Sequence, residues 1–235
     1  MSRLVVIGGT SGIGSYIVSF FSDKGVNVIY GGRNRRDKVC QNACYLPIDV
    51  TDEESVRTFF ARPELFSFDS LVYSAGVTTR RNDLLDFDPK DYKRVNDVNV
   101  LGLLLVLKYS QRALFQAKGR VVVISSLAAR DYSRFSGVEY SISKAAVGAV
   151  VRQIALEWAT QGVLINSVLP GMVESEMLFN QVDKTTLDEV EGRIPLRCLA
   201  KPRDVALAAE FLLSSENRYL TGVGIDVNGG QYLTA

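Results

Sequence analysis

The sequence has no histidine, only three cysteines, a single tryptophan and no excess of either charge, 27 Lys plus Arg standing against 26 Asp plus Glu. Without an imidazole, Ser-His-Asp triads, His-ligated zinc sites and histidine general bases are all ruled out, so proton transfer has to use Tyr, Lys, Asp, Glu or Cys. Cys40, Cys44 and Cys198 are odd in number and lack disulfide or zinc spacing, which fits structural filler in a reducing compartment. A net charge of +1 supplies no field for DNA, RNA or an anionic membrane, and nucleic acid is not expected as a partner. Long apolar runs are missing too: Val100 to Leu107 extends about eight residues, whereas a membrane span takes about 20. The N-terminus runs into the apolar Leu4 to Ile7 with no signal-peptide core or cleavage site. These features predict a soluble, cytoplasmic protein with no membrane partner.

What is present is a chain of 235 residues, 47% hydrophobic, long enough to bury a core without disulfide or metal. Short β-branched runs alternate with helical stretches, the pattern of an α/β fold with a parallel sheet covered on both faces. Seven strands are predicted: Arg3 to Ile7, Val26 to Tyr30, Ala43 to Leu46, Ser70 to Tyr73, Arg120 to Ser125, Leu164 to Val168 and Gly224 to Val227. Runs such as Val121-Val122-Val123-Ile124 read as strands buried on both faces. Helices are predicted over Gly12 to Lys24, Asp52 to Phe60, Val98 to Ala117, Val138 to Thr160 and Pro202 to Leu213. With no repeat or linker, residues 1–235 read as one domain. Met172 to Arg193, where six acidic residues meet Lys184 and Arg193, lacks strong periodicity and reads as a loop acting as a lid.

The segment Val5-Val6-Ile7-Gly8-Gly9-Thr10-Ser11-Gly12-Ile13-Gly14 places a buried strand directly before a glycine-rich turn and a helix. Glycines there permit a tight bend, close approach to a pyrophosphate and packing of helix on strand, while the helix N-terminus offers N–H groups and partial positive charge. That context makes it a dinucleotide site in a doubly wound, Rossmann-type sheet. An NAD site carries an acidic residue at the end of the second strand; here Arg33 and Asn34 stand there, with Arg35 and Arg36 behind. A guanidinium beside the ribose matches a 2′-phosphate, so NADP(H) is preferred over NAD(H). Asp49, followed by Val50, is placed either to accept a hydrogen bond from an adenine amino group or to form a capping turn.

Tyr140 and Lys144 are four apart at the start of a predicted helix and share one face. An ammonium near a phenol favours the phenolate and brings its pKa of about 10 toward neutrality, making the Tyr a usable acid or base. Ser125-Ser126 closes a buried strand at its carboxyl end, where ligands of open α/β sheets bind. Asn99 interrupts an apolar helix face, and a buried amide needs partners.

Taken together, these motifs resemble those of the short-chain dehydrogenase/reductase family over essentially the whole chain. The family's T-G-x-x-x-G-x-G resembles Ile7 to Gly14, its N-N-A-G resembles Tyr73-Ser74-Ala75-Gly76, and its N-x-x-G resembles Asn99 to Gly102. Its strand-end Ser resembles Ser126 and its Y-x-x-x-K is Tyr140 to Lys144. P-G-x-[VI]-x-T resembles Pro170-Gly171-Met172-Val173-Glu174-Ser175, and a strand ending in D-G-G resembles Asp226 to Gly230. The resemblance implies that Tyr140 transfers the proton, that Lys144 lowers its pKa and holds the nicotinamide ribose, and that Ser126 hydrogen-bonds the substrate oxygen. It implies that Asn99 holds a water linking Lys144 to solvent, and that Val173, through its backbone, and Ser175 meet the carboxamide. Ser74, Ala75, Gly76, Val50, Pro170 and Gly171 complete the expected cofactor wall. The reaction is then reversible hydride transfer between cofactor and a small-molecule carbonyl or alcohol.

Three departures stand out: Ile7 replaces Thr, Ser74 replaces an Asn, and Tyr140 lies 14 positions after Ser126, one more than the family pattern. Substrate choice falls to Met172 to Arg193 and Leu127 to Val138. The nearest likeness is to 3-oxoacyl-acyl-carrier-protein reductases, from Arg33, the length and Ile194-Pro195-Leu196-Arg197; a small cyclic, sugar or secondary-metabolite alcohol or ketone is the alternative. The lid's acidic excess disfavours an acidic carrier, although Arg80, Arg81, Arg130 and Arg134 offer a basic patch. A non-catalytic NADP-binding regulator predicts loss of the Tyr, Lys, Ser or Asn, and all four are present. The resemblance implies a homotetramer or homodimer packed through Val98 to Ala117 and Val138 to Thr160, where Val147, Val150, Val151 and Ile154 belong either to the interface or to the core.

Overall fold

The computed structural model describes residues 2–35, 40–80, 83–179 and 183–233. Arg36 and Arg81, members of the two expected basic clusters, lie outside the described residues.

Seven strands form one sheet in the order β3-β2-β1-β4-β5-β6-β7. They are β1 (Arg3–Ile7), β2 (Asn27–Gly32), β3 (Ala43–Pro47), β4 (Ser70–Tyr73), β5 (Arg120–Ile124), β6 (Leu164–Pro170) and β7 (Gly224–Val227). All six pairings are parallel, Val5 lying between Ile29 and Leu71 and Val122 between Val72 and Asn166. The chain passes from β3 back to β4 beside β1, so the direction of winding reverses there, and a crevice opens at the carboxyl ends of β1 and β4.

Among the described residues there are eight helices: α1 (Gly12–Asp23), α2 (Glu53–Phe60), α3 (Pro89–Asn96), α4 (Gly102–Ala117), α5 (Val138–Trp158), α6 (Glu176–Phe179), α7 (Lys184–Arg193) and α8 (Pro202–Leu213). Alternate strand residues feed the two sides. Val5, Ile7, Leu71, Val121 and Val123 pack with α2, α4 and α5, whereas Leu4, Val6, Val72, Val122 and Ile124 pack with α1 and α8. At roughly 25 cal/mol per Å² of apolar surface, such two-sided burial supplies the main driving force for folding.

The helix expected over Val98 to Ala117 starts earlier. Pro89 opens α3 behind an Asp88 cap, and a five-residue π turn (Asp97–Leu101) joins α3 to α4. By length and composition Pro89–Ala117 could cross a membrane, but half of its most apolar window is buried against the sheet, so its apolar face serves the core. Residues Met172 to Arg193 are not the featureless loop expected: α6 and α7 form there around Leu178, Val190, Ile194 and Leu199, packed on Phe135 and Met172. An N-cap at Asp183, whose carboxylate accepts from Thr186 N at 2.9 Å, starts α7. Strong polar content masked the weak apolar repeat in that segment. Val147 and Val151 of α5 are core residues, with Val150 and Ile154 half-buried against them.

Candidate active site

The first wall of the crevice is the glycine turn. Gly8 has φ +84°, and a Cβ there would sit 2.3 Å from Ala75 N; at Gly14 one would sit 2.1 Å from Gly8 O. Glycine is therefore required sterically at both positions, the first for the turn against β4 and the second for seating α1 on it. Gly12, at φ +51°, faces open space. Ser11 caps α1 without a side-chain hydrogen bond, and no acidic residue lies in the first turn. Main-chain donors and dipole are thus left to the crevice, the arrangement a pyrophosphate needs. The replacement at Ile7 is accommodated by complete burial, and Ser74 N donates to Ile7 O at 2.8 Å.

At the close of β2, Thr10 packs against Gly32. Arg33 and Asn34 are exposed beyond it. Asp49 adopts the turn-forming role: its carboxylate accepts from Thr51 N at 3.0 Å and Thr51 Oγ1 at 2.7 Å. Burial raises its pKa, but those hydrogen bonds and the positive charge of Arg33 outweigh this and hold the carboxyl below its usual value. Val50 is buried against Gly102, so only its main chain can face the crevice.

The second group sits where β4, β5 and α5 meet. Lys144 is 5% exposed; its ammonium donates to Ile124 O at 3.1 Å and lies 5.6 Å from the Tyr140 ring centre. Desolvation pulls the Lys144 pKa down to about 8. Burial pushes the Tyr140 phenol above its ordinary value, and a hydrogen bond with Ser126 partly offsets this. Ser126 Oγ also accepts from Ala128 N at 3.1 Å. The neighbouring Ser125 hydroxyl is buried with no hydrogen-bond partner among the described residues and borders the same cleft.

Asn99 is 1% exposed and fully engaged: Nδ2 donates to Val77 O at 3.0 Å and to Ser143 Oγ at 2.9 Å, while Oδ1 accepts from Val77 N at 2.9 Å. Its amide hydrogens thus brace the loop after β4 against α5. A Cβ on Gly102 would sit 2.7 Å from the Tyr73 hydroxyl, which explains the N-x-x-G spacing as close approach of α4 to β4. That hydroxyl donates to Val98 O at 2.5 Å. Pro170 and Gly171 follow β6, and Val173 bridges Ala200 through the main chain of Met172 and Glu174, leaving Val173's own amide and carbonyl outside that ladder. Ser175 Oγ accepts from Leu178 N at 3.2 Å, capping α6.

Sequence reasoning missed Glu139 and Gln231. Glu139 is 3% exposed and accepts from the Thr79 hydroxyl, while Gly137 leaves room for the carboxylate. As an acidic residue in a first helical turn it looks like a surface group; only its position beside Tyr140 hinted otherwise. Gln231 Oε1 accepts from Met172 N at 2.9 Å, clamping the segment after β7 to the start of the 172–193 stretch. The expected basic patch is also revised: Arg130 pairs with Asp226 at 3.2 Å and donates to Gly224 O at 3.1 Å, while Arg134 stacks 5.4 Å from the Tyr132 ring centre.

Tyr140 and Ser126 open onto a cleft of about 240 Å³ bordered by Tyr132, Phe135, Met172, Leu178, Val190 and Arg193. That is below the roughly 300–1,000 Å³ of pockets for drug-sized ligands and suits a small substrate.

The family described as enoyl-(acyl carrier protein) reductase matches residues 8–231. A (3R)-3-hydroxyacyl-CoA dehydrogenase of Canis lupus familiaris is 35% identical over 182 residues, covering 77% of this chain and 68% of that protein. The 3-oxoacyl-[acyl-carrier-protein] reductase FabG of Vibrio cholerae serotype O1 is 28% identical over 240 residues, covering 97% of this chain and 96% of that one. The solved structure of ElxO with NADP bound superposes with a TM-score of 0.90 at 26% identity, covering 98% of each chain. A match spanning nearly the whole chain, on a doubly wound sheet of seven parallel strands, places the protein in the short-chain dehydrogenase/reductase family, whose members act on hydroxyl and carbonyl groups.

Proposed function

We propose that the chain is an NADP(H)-dependent oxidoreductase interconverting a small ketone and a secondary alcohol, with Tyr140 as acid/base. The observation that carries this reading is the convergence of Tyr140 and Ser126 on one cleft at the carboxyl edge of the sheet, with Lys144 buried beside Tyr140 and an uncapped helix N-terminus nearby. A bound nicotinamide supplies or accepts the hydride. The chain's own residues do the rest. Tyr140 gives its phenolic proton to the oxygen that gains charge on reduction, and takes it back on oxidation. Lys144 favours the phenolate electrostatically and hydrogen-bonds the ribose. Ser126 orients the substrate oxygen and stabilises developing charge. Asn99 braces the loop after β4 against α5 with its side chain and holds a water that links Lys144 to solvent. Arg33 meets the 2′-phosphate, and Val173 and Ser175 meet the carboxamide.

Two relatives whose names specify 3-oxoacyl or 3-hydroxyacyl thioesters favour that substrate class, and the small cleft favours a short acyl group or a small cyclic or sugar ketone. A cytoplasmic, homo-oligomeric enzyme of one domain with a lid at 172–193 completes the reading. Tyr140→Phe is expected to abolish NADPH-dependent ketone reduction while keeping the NADPH dissociation constant within about threefold, since the transferable proton alone is removed. Retained turnover across acyl thioesters, cyclic ketones and keto sugars overturns the assignment.

A further inference from the structure

The lid carries six carboxylates, yet the charged side chain it brings to the cleft, among the described residues, is an arginine. Arg193 ends α7 one turn after Val190, and the two share the helix face bordering the cleft beside Met172 and Leu178. Glu174, Asp183, Asp188 and Glu189 are exposed and do not border it. Asp188, Glu189 and Glu191 lie within five residues of Arg193 on the same helix, but no ion pair or hydrogen bond engages its guanidinium among the described residues. The nearby Arg197, at φ +57°, instead directs its guanidinium to Gly192 O and closes the helix end. Arg134 borders the cleft too, and Asp131 is the acidic residue opposing them among the described residues, its carboxylate accepting from Tyr132 N at 2.8 Å. The result is a cleft with hydroxyl donors at one end, an apolar middle formed by Phe135, Met172, Leu178 and Val190, and a guanidinium on the lid wall.

We propose that Arg193 is an anion-reading subsite, so that the substrate is a small carbonyl or alcohol compound carrying a carboxylate or phosphate separated from the reacting carbon by an apolar segment. The proposal rests on the oxidoreductase reading above and adds the substrate's charge to it. A guanidinium forms paired, charge-assisted hydrogen bonds to such groups, and a neutral ester or amide forfeits them.

The test compares linear oxo acids of increasing chain length with their methyl esters, and oxoalkyl phosphates of the same lengths with the neutral oxo alcohols, using NADPH and the whole chain. At the best chain length, the acid is expected to exceed its ester in kcat/KM by about tenfold or more, chiefly through KM. Arg193→Gln should bring that ratio toward one, Arg193→Lys should retain part of it, and Arg193→Glu should invert it. A preference confined to the phosphate pairs and lost in Arg193→Gln identifies phosphate as the anion; one confined to the oxo acids identifies carboxylate. A ratio near one in the unmodified chain, or a preference that survives Arg193→Gln, overturns the subsite. Calorimetric titration with octanoate and octanamide separates the two ideas. If octanoate binds more tightly, loses that advantage in Arg193→Gln, and no ketone is turned over, the subsite stands and the oxidoreductase reading falls. If esters are turned over and octanoate binds no more tightly than octanamide, the oxidoreductase reading stands and the subsite falls.

Discussion

Replacing Lys144 by methionine should make the protein more stable at neutral pH and inactive. The ammonium is buried and held by one carbonyl, and its pKa is pulled from 10.5 to about 8. A cation whose folded pKa lies below its unfolded one opposes folding. Between about pH 8 and 10.5 the unfolded chain binds more protons than the folded one, so raising the pH through that window stabilises the native state. The cost of burying the charge is about 3 kcal/mol at pH 7, about 2 at pH 9 and under about 1 at pH 10. Methionine keeps an unbranched side chain but leaves Ile124 O without its donor, a loss of about 1 kcal/mol. Lys144→Met is therefore expected to gain about 2 kcal/mol at pH 7, with the advantage vanishing near pH 10. Urea unfolding at fixed protein concentration, followed by the fluorescence of Trp158, measures this. The single tryptophan is 5% exposed and packs 5.5 Å from the Phe115 ring, so its environment changes on unfolding. A stability difference that stays constant from pH 7 to 10, or a variant weaker at pH 7, refutes the reasoning.

Arg33→Asp should raise the NADPH dissociation constant at least about tenfold and shift preference toward NADH, because a carboxylate repels a 2′-phosphate and accepts from ribose hydroxyls; fluorescence titration with both cofactors checks it, and an unchanged NADPH constant refutes it. Two glycine variants should separate folding from binding. Gly14→Ala forces a Cβ to within 2.1 Å of Gly8 O and should cost about 1–3 kcal/mol of stability in urea unfolding. Gly12→Ala points into open space at φ +51° and should cost about 1 kcal/mol while weakening NADPH binding more than it weakens the fold.

Periodicity located all seven strands, with Arg3–Ile7, Ser70–Tyr73 and Gly224–Val227 reproduced end for end. Buried parallel strands are continuous apolar runs punctuated by loops, which leaves little room for misreading. The glycine turn, Tyr140, Lys144, Ser126 and Asn99 stood out as candidates for a related reason: each is a residue type that a strand end or helix face does not need for packing alone. Less was legible in α3, which is polar and announced chiefly by Asp88 and Pro89, and in α6 and α7, whose apolar contacts form only when Phe135 and Met172 are brought beside them. The valines of α5 matched core and interface equally well until the sheet covered Val147 and Val151.

By itself, then, the sequence determined the layered α/β architecture, the glycine turn and which residues are candidates to move a proton without histidine, since these depend on local backbone geometry and residue chemistry. Tertiary structure decided what depends on solvent exclusion and on neighbours distant in the chain. It buried Lys144 and lowered its pKa, committed the amide of Asn99 to Val77 and Ser143, and hid Glu139 against Thr79. It also turned one arginine of an acidic lid toward the cleft, because Val190 and Leu178 on the same wall are drawn there to bury apolar surface and Arg193 follows the helix they anchor.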